Sequence, residues 1–272
     1  MFARSLLKRL QRKLSRTPAP DFRERERNAQ IHRPHYAYGI LKCADVAKLY
    51  GLKEVTICEF GVASGGGLKN MIRIADAVTE FTGVKFRIYG FDTGTGIPET
   101  SGYKDHPEIW SPGDYPLIEK DELLKTIDGK AELIFGDIQE TIHPFIEQLS
   151  QAAPIGFLAI DVDVYTGTHH ALKCLVHDDP CLYLPAVGLY FDDITVYFAN
   201  RWCGELLAIE EFNEANTLRK IDHDRTVRHF HRPWFTKMFV CHVFDHPVRR
   251  ELPSERVQKM KPGGNFPPGV LH

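Results

Sequence analysis

The chain has 272 residues, of which 43% are hydrophobic and 26% charged, enough to bury the core of one full domain, and its formal net charge of -2 gives no reason to expect a nucleic-acid partner. No apolar run approaches the ~20 residues needed to span a bilayer. The six cysteines, Cys43, Cys58, Cys174, Cys181, Cys203 and Cys241, form no C-x-x-C pair or regular framework and read as reduced residues of a soluble, cytoplasmic enzyme.

The chain opens on a basic segment. Residues 1–30 hold nine Lys and Arg against three acids, leaving the remainder at a net charge of -8. Within residues 1–16, Phe2, Leu6, Leu7, Leu10 and Leu14 recur at helical spacing, with Arg and Lys on the other face. Two readings fit: contact with an anionic membrane surface, or packing on the domain or on a second subunit of a homo-oligomer. A secretory signal would need a continuous apolar core, which is missing. Thr17-Pro18-Ala19-Pro20 reads as a linker, so residues 1–34 stand apart from a domain over 35–250. Residues 251–272 are a Pro/Gly-rich tail.

The first strand-like run, 55–60 (VTICEF), leads through Glu59 into Gly61-Val62-Ala63-Ser64-Gly65-Gly66-Gly67 and a helical pattern over 66–80. An acid at a strand end followed by a glycine turn presents a ligand at the carboxyl edge of a parallel sheet. The spacing E-x-G-x-x-x-G-G departs from the dinucleotide fingerprint G-x-G-x-x-G. Glu59 would repel a pyrophosphate and attract an ammonium or sulfonium, which favours S-adenosylmethionine. A plain strand-to-helix turn accounts for the loop alone about equally well.

The second run, 85–92, closes on Gly90-Phe91-Asp92-Thr93, where an acid can accept both hydroxyls of a ribose. Gly94 to Tyr115, with Gly102, Trp110 and Gly113, is long for an α/β connection and reads as a lid or acceptor-recognition element, unless Trp110 fills a core gap. A helix over 116–127 follows, with Asp114 and Pro116 at cap and first-turn positions. The third run, 131–137, ends at Asp137, placed either to bind an adenine amino group or to cap a helix over 139–150.

The fourth run, 156–163, carries Asp161 and Asp163, which share a face if the strand continues through both. A helix over 168–177, a run over 186–193 ending in Asp192 and Asp193, a helix over 204–216 and a last run over 235–244 complete the alternation. This order predicts an α/β fold with a mostly parallel sheet covered on both faces. Strand after strand ends in a carboxylate, and those ends converge on one crevice. Carboxylates drawn together raise one another's pKa unless a cation intervenes. All-oxygen ligation suits Mg²⁺, with Mn²⁺ as a substitute. The thirteen histidines invite a zinc reading, but their irregular spacing favours surface or structural roles, with His169 or His170 as an alternative base.

Glu59-Phe60-Gly61 with Gly65-Gly66, Gly90-Phe91-Asp92-Thr93, Gly136-Asp137, Asp161-x-Asp163-x-Tyr165-x-x-Thr168 and Asp192-Asp193 together resemble the macrocin O-methyltransferase (TylF-like) family of class I S-adenosylmethionine-dependent methyltransferases, over roughly residues 35–247. The resemblance implies a Rossmann-like, mostly parallel seven-stranded sheet with helices on both faces, S-adenosylmethionine and Mg²⁺ as cofactors, and a small hydroxylated acceptor such as a sugar. It assigns Glu59, Gly61 and Gly65 to the methionyl part of the cofactor, Asp92 to the ribose and Asp137 to the adenine, with Ser64, Thr93 and Asp161 also in the cofactor set. Asp161, Asp192 and Asp193 become the metal ligands and Asp163 the base. Two segments depart from the family pattern, Thr93-Gly94-Thr95-Gly96-Ile97-Pro98 and the long interval between Asp161 and Asp192. Both fall where the acceptor binds, which leaves its identity open. A cephalosporin hydroxylase-like protein and a non-catalytic cofactor binder of the same fold are the alternatives.

Overall fold

The computed structural model describes residues 19–100, 102–227 and 232–250. The basic segment 1–16 and the tail 251–272, with the membrane and subunit readings attached to the former, lie outside the described residues.

The helices are α1 (Phe22–Arg27), α2 (Pro34–Leu49), α3 (Gly66–Thr82), α4 (Lys120–Ile127), α5 (Ile138–Ile146), α6 (Tyr165–Ala171) and α7 (Gly204–Ala215). The strands are β1 (Glu54–Phe60), β2 (Lys85–Asp92), β3 (Glu132–Phe135), β4 (Ile155–Ile160), β5 (Tyr183–Phe191), β6 (Arg219–His223) and β7 (Met238–Val243). They form one sheet in the order β3-β2-β1-β4-β5-β7-β6. The pairings from β3 through β5 are parallel, whereas β7 runs antiparallel to both β5 and β6. The sheet is therefore mixed at one edge. The chain builds outward from β1 through β2 to β3, then returns to place β4 on the other side of β1. That reversal opens a crevice at the carboxyl ends of β1 and β4.

Alternate strand residues feed two apolar layers. On β4, Phe157 and Ala159 join the layer under α2 and α3, while Leu158 and Ile160 join the one containing residues of α5, α6 and α7. Three elements escaped the sequence patterns. Helix α2 buries Tyr36, Ala37, Gly39, Ile40, Leu41, Cys43, Ala44 and Ala47. Burial this broad leaves no clean polar stripe for periodicity to detect. β6 reads RKIDH and is short and charged, as edge strands commonly are. Past the residues read as linker, but still within the segment 1–34 set apart from the domain, α1 is closed by a capping box between Asp21 and Glu24 and places Phe22 in the core.

Several boundaries move. β4 ends at Ile160, so Asp161 and Asp163 lie beyond the strand and do not share a face by strand alternation. Helix α4 starts at Lys120 with Glu119 as its N-cap, leaving Asp114 and Pro116 in the preceding loop, where Asp114 accepts from the Ser111 amide at 2.9 Å. Helix α6 begins at Tyr165 and passes at Leu172 into a 3-10 turn instead of running over 168–177. All six cysteines are free thiols, four of them buried, and no helix among the described residues is long and apolar enough to cross a membrane.

Helix α2 reaches the sheet through Gly39, where a Cβ would stand 2.2 Å from the fully buried Phe157 ring. Alanine is favoured over glycine in a helix by about 1 kcal/mol, yet overpacking a rigid core costs about 1–3 kcal/mol. Gly39→Ala is therefore expected to destabilise the fold despite the propensity gain. A denaturant melt with an unshifted or raised midpoint overturns the claim that α2 and β4 are in direct contact there.

Candidate functional site

The crevice is shaped first by backbone approach. Gly61 adopts φ +85°, and a Cβ there would lie 1.8 Å from the Asp161 carbonyl oxygen. Only glycine lets the ends of β1 and β4 come this close. Behind this turn, Glu59 is 1% exposed. Its Oε1 accepts from the Tyr36 hydroxyl at 2.5 Å, while Oε2 is buried with no partner among the described residues. Gly67, in the first turn of α3, leaves room for this carboxylate, since a Cβ would sit 1.8 Å from Oε1. Burial pushes Glu59 up to about 8, against the Tyr36 hydrogen bond.

A cavity of about 250 Å³ extends from Gly61 and Ala63 past Asp92, Thr93 and Asp137 to Asp161 and Asp163. Asp92 is more engaged than a free ribose acceptor: Oδ2 accepts from the Val62 and Ala63 amides at 2.9 and 2.8 Å, and Oδ1 from the Gly94 amide at 2.6 Å. It braces the glycine turn against the loop after β2. Thr93 donates to the Gly96 carbonyl at 2.7 Å. Asp137 is the N-cap of α5, accepting from the Gln139 amide at 2.8 Å, so the capping reading is realised on a residue that also faces the cavity. Ser64 is exposed and Gly65 abuts Leu123; neither lines the cavity.

Asp161, which lines the cavity, and Asp192 and Asp193, which are not among its lining residues, each bring a carboxylate oxygen within 4.8 Å of the others, the one grouping of this kind among the described residues. Asp192 takes hydrogen bonds from the Tyr190 hydroxyl and, at 3.0 Å, from Lys237 Nζ. Burial raises its pKa, but these bonds outweigh burial and hold it below the ordinary value. Burial and the neighbouring Asp192 push Asp161 up to about 7; burial and Asp163 push Asp193 up to about 8. Asp193 Oδ2 is buried with no hydrogen-bond partner among the described residues. Asp163, at φ +65°, stands outside this trio, and burial and Asp161 raise it to about 7. Oxygen donors that are half-buried, converging and mutually repelling suit a hard divalent cation, and the residues present fit Mg²⁺.

Three supporting residues carry no sequence signal. Glu205, in the first turn of α7, is 2% exposed and accepts from the Asp193 amide at 2.8 Å, with its other oxygen buried and partnerless. Burial, then Asp193, hold its carboxyl well above the usual range. An acid at a helix start is too common to single out from sequence. Tyr36 lies on the unread helix α2. His35 beside it stacks on Tyr190 at 4.2 Å, and burial drives it down to about 3, keeping it neutral.

The long loop after β2 is anchored. Asp105, fully buried, accepts from the Thr166 amide and hydroxyl at 2.8 and 2.9 Å. Trp110 is half-buried and meets Tyr115 edge-on at 6.2 Å. From this loop Ile97, Glu99, Asp114 and Tyr115 reach the cavity. His170 also lines it, with Nδ1 2.9 Å from Lys173 Nζ, whereas His169 lies 3.9 Å from Glu211.

No protein-family model matches the sequence, and no curated protein matches it. Among solved structures the chain is similar to calicheamicin methyltransferase CalS11, with a TM-score of 0.53 and 20% identity over 88% of this chain and 91% of that one. The apo structure of CalS11, a TDP-rhamnose 3′-O-methyltransferase, matches at TM-score 0.45 and 20% identity, over 88% and 92% of the two chains. TomG, an O-methyltransferase from Streptomyces achromogenes solved with S-adenosylmethionine, matches at 0.43 and 9%, over 86% and 94%. The first likeness shows the fold: a Rossmann-like methyltransferase sheet of seven strands, closed by an antiparallel pair.

The raised carboxyls make stability depend on pH. Between about pH 7 and pH 8.5, Glu59 and Asp193 still bind protons in the folded state, while unfolded carboxyls, with pKa near 4, do not. The folded state then binds more protons, so stability falls as pH rises. Below about pH 6.5 the buried neutral His35 contributes the opposite slope. In EDTA the melting temperature is expected to drop across the upper window, and Mg²⁺ is expected to restore it. A flat profile in EDTA, or no response to Mg²⁺, contradicts the placement of these acids.

Proposed function

We propose that the protein is an S-adenosylmethionine-dependent, Mg²⁺-dependent O-methyltransferase acting on a hydroxyl of a sugar or another polyhydroxylated small molecule. The observation that carries this reading is a juxtaposition: the glycine turn after β1 and the aspartate trio after β4 and β5 meet at one crevice, with Gly61 and Asp161 lining the same cavity. The metal-free, phosphate-binding version of such a crevice would have little use for this concentration of acid. The fold shared with CalS11, itself a calicheamicin methyltransferase, agrees.

On this reading Glu59 faces the ammonium of the methionyl group, Asp92 holds the glycine turn in place and keeps spare acceptor capacity for the ribose, and the second oxygen of Asp137 is free for the adenine. Thr93 fixes the loop beside the ribose. S-adenosylmethionine brings a methyl group activated by its sulfonium, and Mg²⁺ held by Asp161, Asp192 and Asp193 would supply positive charge that orients neighbouring acceptor oxygens and acidifies the hydroxyl. Asp163 accepts the hydroxyl proton on its carboxylate as the methyl passes from sulfur to oxygen. Its backbone, turned to φ +65° beyond the end of β4, frees the side chain from strand alternation. Burial raises its basicity toward neutrality, where a general base works best. The glycine-rich departure after Asp92 and Tyr115 border the space where the acceptor sits.

Calorimetry is expected to show S-adenosylhomocysteine binding and no NAD binding. EDTA is expected to abolish turnover while leaving S-adenosylhomocysteine affinity largely intact. Asp192→Asn or Asp193→Asn weakens Mg²⁺ binding, whereas Asp163→Asn keeps it and slows the chemical step by about 10² to 10⁴-fold. Full activity in EDTA overturns the metal assignment. Cofactor binding without methyl transfer to any tested polyol leaves a non-catalytic binder.

A further inference from the structure

Arg33 occupies an unusual place. It is the N-cap of α2, at φ +53°, and its side chain reaches over the opening of α3, with the guanidinium 4.0 Å from where a Gly66 Cβ would stand and 5.3 Å from the centre of the Tyr36 ring. The segment is pinned there: His32 Nδ1 lies 3.1 Å from Asn70 Oδ1, and Asn70 Nδ2 donates to the Gly66 carbonyl at 3.0 Å. No described residue forms an ion pair or hydrogen bond with the Arg33 guanidinium, although it stands within electrostatic reach of Glu59 and Asp161, both of which it lowers. A half-buried guanidinium held over a glycine turn without an anion lacks the partner that this group is shaped to bind.

Three further features surround the same spot. Helix α3 is 17 residues long, and its N-cap, Gly65, provides no side-chain cap. Its first amides and the positive end of its dipole therefore favour an anion. The opening residues Gly66 and Gly67 present no side chain to block one. Beneath them lies the partnerless Oε2 of the fully buried Glu59, 3.2 Å from where a Gly67 Cβ would be. A guanidinium and free helix amides on one side, with an unsatisfied carboxylate on the other, complement a group carrying both charges, as an α-amino acid does. A phosphate satisfies Arg33 and the helix but brings no positive charge to pair with Glu59, as an ammonium does.

We propose that Arg33 receives the α-carboxylate of the cofactor's amino-acid end, pairing with it as a planar fork while Glu59 takes the ammonium. This rests on the S-adenosylmethionine reading. It assigns a role to a residue in the approach to α2, upstream of every motif in the chain. Bidentate Arg–carboxylate pairing also explains a guanidinium in place of an ammonium, since lysine offers a point charge without the fork.

Calorimetry with three compounds separates the possibilities: S-adenosylhomocysteine, its decarboxylated analogue, which keeps the amine, and 5′-methylthioadenosine, which lacks both groups. The unaltered protein is expected to bind S-adenosylhomocysteine about 10- to 100-fold more tightly than the decarboxylated compound, the scale of a charge-assisted hydrogen bond. Arg33→Gln should erase that difference and leave methylthioadenosine affinity unchanged, with Arg33→Lys intermediate. Equal losses for all three compounds, loss of methylthioadenosine binding in both variants, or an unchanged preference in Arg33→Gln each overturn the assignment. If the unaltered protein binds none of the three, the cofactor reading itself fails.

Discussion

The structure turns on the accumulation of negative charge at one edge of the sheet. Glu59, Asp161, Asp163, Asp193 and Glu205 all stand where burial and one another's fields raise their pKa values. Among the described residues, Arg33 brings positive charge to bear on Glu59 and Asp161, and Lys237 on Asp161 and Asp193. Such an arrangement is unfavourable for folding, because each carboxylate loses hydration and gains a like-charged neighbour. It persists because the scaffold around it is stable enough to hold it. Two continuous apolar layers clamp the sheet from both faces, and the central strands β1 and β4 are buried almost end to end. Concentrating strain at one site and stabilising it from elsewhere is a common division of labour in proteins.

Each acid is also positioned individually. Tyr36 bonds one oxygen of Glu59 and leaves the other without a partner. Tyr190 and Lys237 fix Asp192 and keep it ionised. Glu205 holds the Asp193 backbone through its amide. Asp92 is committed to three loop amides and so sets the shape of the glycine turn as well as any contact it makes to a ribose. The supporting groups come from α2, β5, the turn before β7 and the start of α7, so the site is preorganised by elements far apart in the chain.

Two faces of the crevice follow from this arrangement. The end near β1 and α3 combines glycine backbone with one buried acid and one unpaired guanidinium, a mixed-charge environment. The end near β4 and β5 gathers the three aspartates against one lysine, Lys237. The cavity lined by Gly61 and Asp161 is bordered by the loop after β2, whose base is fastened to α6 through Asp105 and whose outer residues Tyr103, Tyr115 and Ile118 stay exposed. An anchored base with an exposed rim suits recognition of a ligand by residues whose replacement would not disturb the fold.

The sequence by itself determined the local features: the α/β alternation, the glycine turn after β1, and an acid at or just beyond the end of each of the first five strands. Short apolar runs, turn residues and strand spacing are set by neighbours in the chain, so periodicity reports them, and β2 was read to its last residue. Tertiary structure decided the rest. Helix α2 is hidden because burial across most of its surface erases amphipathic contrast, and β6 because an edge strand needs little hydrophobicity. The strand reading of Asp161 and Asp163 failed because β4 stops at Ile160, where the close approach of Gly61 to the Asp161 carbonyl takes over from sheet pairing. Asp92 looked free in sequence and is engaged by amides thirty residues upstream. Tyr36, Glu205 and Arg33 carry no pattern of their own; they matter because of what folding places beside them, and contacts between distant segments leave no periodicity in a single chain to be read.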